Sequence, residues 1–370
     1  MIEENKSNFS DIITLARIVL WVLIIVGTVL MLKYFGNLLK PLVIALILWY
    51  LIGILKGLIR KIKIGNFVLP GWLCTIISFL TILFIIYLVV NIIVVNLQQI
   101  VSRIDEYDNR QDSLLNQLIS FLGLEELSVN IKDLPGSKEL RPFLTNLINS
   151  LSIVVGNTFI ILIYLIFILI EELVFKKKIH KIYKRNEYYR EMWMIVNRMN
   201  ESIKRYLSVK SFASILTAFL AYWILFFIGV DYPLLWSFII FIFNYIPYVG
   251  SFIATLLPSL FAAIQFQSLI SFVWVFLAVQ AAQTLVASFI EPKIVGSSMN
   301  LSPLVVLITL AIWGSIWGIL GMIIAVPVTS IIVIILAQFP KTQKIAIFLS
   351  ASGNIDSLVI PENNKSYKKE

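Results

Sequence analysis

Between residues 207 and 338 the chain carries four charged side chains, Lys210, Asp231, Glu291 and Lys293, and the rest of that stretch is overwhelmingly apolar. A carboxylate at membrane depth is costly and usually functional, so Glu291 is the candidate carrier of a proton or coupling cation. The amides of Asn244, Gln280 and Gln283 break the same apolar stretch. A primary amide donates and accepts hydrogen bonds, so these three suit a neutral polar solute. Each has a plainer reading too. Charges near span ends anchor helices at the interface, and Asn, Gln, Ser and Thr link membrane helices to one another. No acid lies well inside an apolar run, which weighs against ion exchange and toward a neutral or weakly polar solute.

The elements that must position these groups are two interrupted apolar runs. The first opens at Pro233, breaks across Asn244-Tyr245-Ile246-Pro247-Tyr248-Val249-Gly250, and resumes toward Pro258. The second opens at Pro303, breaks across Gly314-Ser315-Ile316-Trp317-Gly318-Ile319-Leu320-Gly321, and resumes toward Pro327. Pro233 to Gly250 is 17 residues and Pro303 to Gly321 is 18. Paired broken helices in two parts of a membrane protein point to a transport site. The breaks free backbone groups at membrane depth, which is tolerable only where protein or a wet cavity receives them. Helix N-termini beyond the breaks, near Ser251 and Gly318, suit an anion or a hydroxyl-rich ligand, and freed carbonyls suit a cation. For Gly314, Gly318 and Gly321, close helix packing fits as well as gating does.

The whole chain agrees with a membrane setting. Hydrophobic residues make up 59% of it, charged residues 14%, and the mean hydropathy is +0.92. Several runs reach the roughly 20 apolar residues a helix needs to cross a bilayer. The net charge of +9 gathers in loops, as orientation signals do, and gives no indication of nucleic-acid binding. One cysteine, Cys74, excludes an internal disulfide, and one histidine, His180, in a charged loop, leaves no His/Cys metal cluster. No Gly-rich phosphate loop is present, so transport driven by a gradient, or passive conduction, remains. No paired acids, metal ligands or nucleophile–His pair sit in the spans, so no enzyme is expected, and no cofactor.

The expected fold is all-α and polytopic, with eight membrane segments. Residues 1–96 hold scaffold helices; 97–146 form an extracytoplasmic amphipathic helical segment; 147–206 hold a fourth span and a basic loop. Residues 207–338 form the half with the two broken helices, and 339–370 a cytoplasmic tail. From residue 171 to 205 there are ten Lys/Arg against five acids, which places that loop, and with it both termini, inside. Two topologies stay open. Either each broken run crosses the membrane, giving eight spans, or each folds back as a re-entrant hairpin with arms of about ten residues, reaching half depth. The second gives six spans and two hairpins in an inverted repeat.

An ordered set of motifs then carries a resemblance: Ile246-Pro247-Tyr248-Val249-Gly250 followed by Pro258; Glu291-Pro292-Lys293-Ile294-Val295-Gly296; Leu301-Ser302-Pro303; and Gly314 through Gly318 and Gly321 to Pro327. It resembles the autoinducer-2 exporter family of bacterial membrane proteins, over most of the chain, with the specific motifs after about residue 200. The resemblance implies a secondary transporter of the inner membrane. Family members have been linked to export of a quorum-sensing signal, and some to sodium/proton exchange. The expected function is export of a small polar or amphipathic solute, with a sodium (lithium)/proton antiporter and a non-transporting membrane scaffold as alternatives. The expected partners are the lipid bilayer, a small-molecule or ion substrate and further copies of the chain.

Overall fold

The computed structural model describes residues 2–61, 69–103, 156–172, 174–175, 178, 187–295, 301–356 and 358–359. Among them the regular structure is helical, with no strand. In a bilayer core every backbone polar group must be satisfied within the protein, and apolar runs of this length do so as helices. The helices are α1 (Ile2–Tyr34), α2 (Gly36–Lys61), α3 (Gly71–Ser102), α4 (156–172), α5 (Glu187–Ile228), α6 (Pro233–Phe243), α7 (Val249–Phe266) and α8 (Leu269–Leu285). The π-helical turn Val286–Ile290 leads into α9 (Glu291–Val295), and α10 (Pro303–Trp317), α11 (Ile319–Gln338) and α12 (Gln343–Leu349) follow. Seven helices are long and apolar enough to cross a membrane, so this is a multi-pass membrane protein. Most of the 97–146 segment, and residues 179–186 of the basic loop, lie outside the described residues.

One boundary differs from the sequence expectation. The basic loop was expected to end at 206 and the half with the broken helices to begin at 207. Instead α5 runs unbroken for 42 residues, about 63 Å at helical rise. No Gly or Pro interrupts Glu187–Ile228, so nothing ends the helix at the interface.

Both broken runs fold back on themselves. In the first, the rings of Tyr232 and Trp236 pack on Phe261, with centroids 6.1 and 5.1 Å apart, so α6 and α7 are antiparallel. Gln265 ties the open end shut: its Oε1 accepts from the Asp231 N–H at 2.7 Å and its Nε2 donates to the Gly229 carbonyl at 2.8 Å. The tip lies toward the other end of α5. Tyr206 donates to the Tyr245 carbonyl at 3.2 Å, and the Tyr245 and Ser211 hydroxyls are 2.8 Å apart. The second hairpin opens the other way. Its open end sits by the start of α5, through Ser302 N–H to Leu349 O (3.0 Å), Gln338 Nε2 to Leu358 O (2.7 Å) and Arg198 to Val359 O (3.1 Å). Its tip reaches the α1–α2 turn, where the Trp317 indole donates to Leu32 O at 3.0 Å. A long helix followed by a hairpin therefore occurs twice, in opposite orientations. The incoming arm α6, at 11 residues, has the expected half depth, but the outgoing arms exceed it. α7 has 18 residues and α11 has 20, about 27 and 30 Å long. Pro258 and Pro327 do not end these helices; both are buried inside them.

The tips show why the chain turns where it does. Pro247 has no N–H to continue α6. The Val249 N–H bonds back to the Pro247 carbonyl at 2.7 Å, and Tyr248 between them has φ 59° and ψ −66°, a strained γ-turn. At the second tip Gly318 takes φ 67° and ψ −140°, a conformation open to glycine. Each outgoing helix then presses a glycine onto the incoming backbone. A Cβ at Gly250 would run into the Phe243 carbonyl, and one at Gly321 into the Trp313 carbonyl. Backbone cannot yield as a side chain can. Gly250→Ala and Gly321→Ala are therefore each expected to cost about 1–3 kcal/mol or more, read as a lowered midpoint of thermal unfolding in detergent. Gly57→Ala, where a Cβ meets nothing within 4 Å, should leave the midpoint unchanged or raise it.

Candidate functional site

The first hairpin tip, α5 and the end of α8 enclose a cavity of about 650 Å³. Tyr206 and Lys210 come from α5, Asn244 from the tip, and Gln280, Gln283 and Glu291 from α8 and its continuation. Pro247, Tyr248 and Ser251 complete the tip's share. The second hairpin contributes an apolar wall, Val306 and Val326, with Leu301 beside it.

The structure thus gathers Asn244, Pro247, Gln280, Gln283 and Glu291 into one cavity and separates them from the other candidates. Gly250 is buried behind the tip, and Pro258 is in the core of α7. Pro303, Gly314, Gly318, Gly321 and Pro327 shape the second hairpin without lining this cavity. A Cβ at Gly314 would press on the Met322 side chain, so this glycine packs the two arms together. Gly296 lies outside the described residues.

Charge inside the cavity is balanced. Lys210 Nζ lies 2.6 Å from Glu291 Oε1, and the two side chains are 12% and 20% exposed. Lys210 looked like an interfacial anchor in the sequence. It is instead the counter-ion that makes a carboxylate tolerable here. The π-helical turn before Glu291 sets the meeting. The Glu291 N–H reaches the Val286 carbonyl, five residues back. Pro292 explains the widening, since it has no N–H to give Ser288 and its ring crowds that carbonyl. The extra residue per turn rotates Glu291 relative to an unbroken α-helix.

The amides differ in how far they are satisfied. Asn244 donates to the Thr217 hydroxyl at 3.4 Å. The Gln280 carbonyl oxygen lies 3.2 Å from the Thr255 hydroxyl, and its amide nitrogen is 3.5 Å from the Thr284 hydroxyl. Gln283 is 3% exposed, and neither its nitrogen nor its oxygen has a hydrogen-bond partner. A buried amide left unpaired costs about 1–3 kcal/mol, so it persists where something else selects it. Gln283→Met, which keeps the shape and removes the orphan groups, is expected to raise the thermal midpoint in detergent. A fall would mean that the amide makes bonds holding the fold. Lys210→Met should lower the midpoint by leaving Glu291 uncompensated, and Lys210→Met/Glu291→Gln should restore most of it.

Known proteins share this architecture's sequence. Residues 18–341 match the family described as AI-2E family transporter. A protein of Borreliella burgdorferi, whose name assigns transport provisionally and gives no substrate, is 28% identical over 86% of this chain and 86% of its own. One of Haemophilus influenzae with the same description is 28% identical over 76% of this chain and 82% of its own. The AI-2 transport protein TqsA of Escherichia coli is 31% identical over 56% of this chain and 59% of its own. The match spans the front helices, both hairpins and the cavity between them, and the chain belongs to the AI-2E family of transporters.

Proposed function

We propose that this chain is a secondary transporter exporting a small, polar or amphipathic solute through the cavity at the first hairpin tip. The observation that carries the proposal is Gln283. Its buried amide has no partner, and it sits beside Asn244 and Gln280 in a cavity whose one charge pair is internally neutralised. An environment of amides, hydroxyls and a closed ion pair favours a neutral, hydroxyl-bearing solute over a free ion. The AI-2 transport protein TqsA is named for such a signal, and a quorum-sensing molecule fits this site chemically. The hairpin-bearing half would move against the front helices to alternate access. The basic stretch from 171 to 205 supports a cytoplasmic membrane location with both termini inside. The broad apolar flanks of α1 and α3 offer surface for lipid and for further copies of the chain.

Cation/proton antiport through Glu291 is the second reading, because Glu291 lines the cavity. Here a cation would have to displace the Lys210 ammonium. The test is transport by purified protein in sealed liposomes. Accumulation of autoinducer-2 or another polyhydroxylated solute is expected, with Gln283→Met and Asn244→Ala each reducing it at least about tenfold, the effect of about 1.4 kcal/mol. Sodium-dependent pH change abolished by Glu291→Gln, with no solute movement, would support antiport instead. Neither activity, with the variants behaving as wild type, would point to the scaffold role.

A further inference from the structure

A second cavity, of about 710 Å³, lies away from the hairpin tips, between the inner ends of α2 and α4 and the first turns of α5. We propose that it is a binding site for one anionic phospholipid, with the phosphate held by Lys56 and Lys204 and an acyl chain along α2 and α4.

Depth is the first support. Lys56 lies one turn before Arg60 and Lys61, the basic end of α2, and Lys204 lies in the basic first half of α5. Trp49, Tyr50 and Trp193 line the same cavity, and such aromatics concentrate at headgroup level. Charge is the second. Of the two carboxylates of the lining, Glu171 pairs with Lys178 at 2.7 Å, and Glu172 accepts from the Trp49 indole at 2.8 Å, which orients it but leaves its charge. Lys56 and Lys204 have no carboxylate within salt-bridge distance among the described residues. Two ammoniums that no carboxylate among the described residues contacts, beside an apolar wall, match a phosphate diester with a tail. Basic pockets between helices on the cytoplasmic side hold such headgroups. Shape is the third. Leu46, Ile52, Ile168 and Leu169 give the wall its apolar length, and Gly53 leaves room, since a Cβ there meets nothing within 4 Å. Ile331 of α11 closes the far side, so the lipid would touch both the front helices and the second hairpin.

The test is binding by the purified full chain in neutral detergent, titrated separately with dioctanoyl phosphatidylglycerol, dioctanoyl phosphatidylcholine and glycerol 3-phosphate. The expected result is saturable binding of phosphatidylglycerol, weakened about tenfold or more in Lys56→Gln/Lys204→Gln. Arg60→Gln/Lys61→Gln removes equal charge outside the cavity and should bind as wild type. Gly53→Phe fills the cavity without changing charge and should abolish binding. Should the double lysine variant not fold, Lys204→Gln alone, at an exposed side chain, should weaken binding about fivefold. Equal affinity for phosphatidylcholine would overturn the proposal. So would equal loss in Arg60→Gln/Lys61→Gln, wild-type binding by Gly53→Phe, or glycerol 3-phosphate binding as tightly as the lipid.

Discussion

The structure depends on two places where backbone touches backbone. At Gly250 and at Gly321, an outgoing helix lies against the last turn of the helix that preceded it, so close that a methyl group would strike a carbonyl oxygen. The shape of both hairpin tips follows from that proximity. Because α7 is held against Phe243, the residues between them, Asn244 to Tyr248, are compressed into a tip with a strained γ-turn. Because the tip is compact, it can sit beside Tyr206 and Ser211 and leave a polar cavity in front of it. The second hairpin repeats the device with Trp313 and Gly321, inverted, and presents Val306 and Val326 to the same cavity. Close packing through small residues is the usual means of helix association in lipid, where burial of apolar surface offers little drive. Here the same means is applied within one chain, to make two tight hairpin turns.

The second constraint is electrical. A lone carboxylate in this setting would be expensive, and so would a lone ammonium. Lys210 and Glu291 remove both costs by meeting across α5 and the start of α9, and they leave a cavity with polarity but little net charge. In the proposed role, such a cavity would discriminate by hydrogen-bond pattern rather than by ion field. Gln283 fits the proposed transport role, in which an amide without partners would bind a solute that offers a donor and an acceptor together.

Much of this was legible in the sequence, for physical reasons. The positions of the spans follow from the length of apolar helix a bilayer demands. The breaks follow from Pro247, Gly250, Gly318 and Gly321, which either cannot continue a helix or permit conformations other residues resist. Asn244, Gln280, Gln283 and Glu291 stood out because polar groups are rare in that stretch, and they do share a cavity. The pairing of Lys210 with Glu291 was not legible. It depends on the register between two antiparallel helices, and neither residue signals it alone. The π-helical turn left a trace in Pro292, directly after Glu291, although a proline there reads equally well as a helix stop. The length of α7 and α11 was underestimated because Pro258 and Pro327 look like terminators, yet each is accommodated inside a packed helix. The apolar lining from Val306 and Val326 was hidden among many similar residues.

If the first hairpin tip faces a water-accessible cavity inside an apolar half, a side chain at the tip must be reachable from water. Ser251 lines that cavity, whereas Leu260, further along α7, is exposed on its outer flank. The direct measurement places a single cysteine at each position in a Cys74→Ser background and follows the rate of reaction with a water-soluble thiol reagent, which requires thiolate and therefore water. Fast modification is expected at Ser251→Cys, slowed by transported solute, and negligible modification at Leu260→Cys. Equal inertness at both positions would mean that the tip is packed in an apolar environment and that no polar cavity exists for a solute to enter.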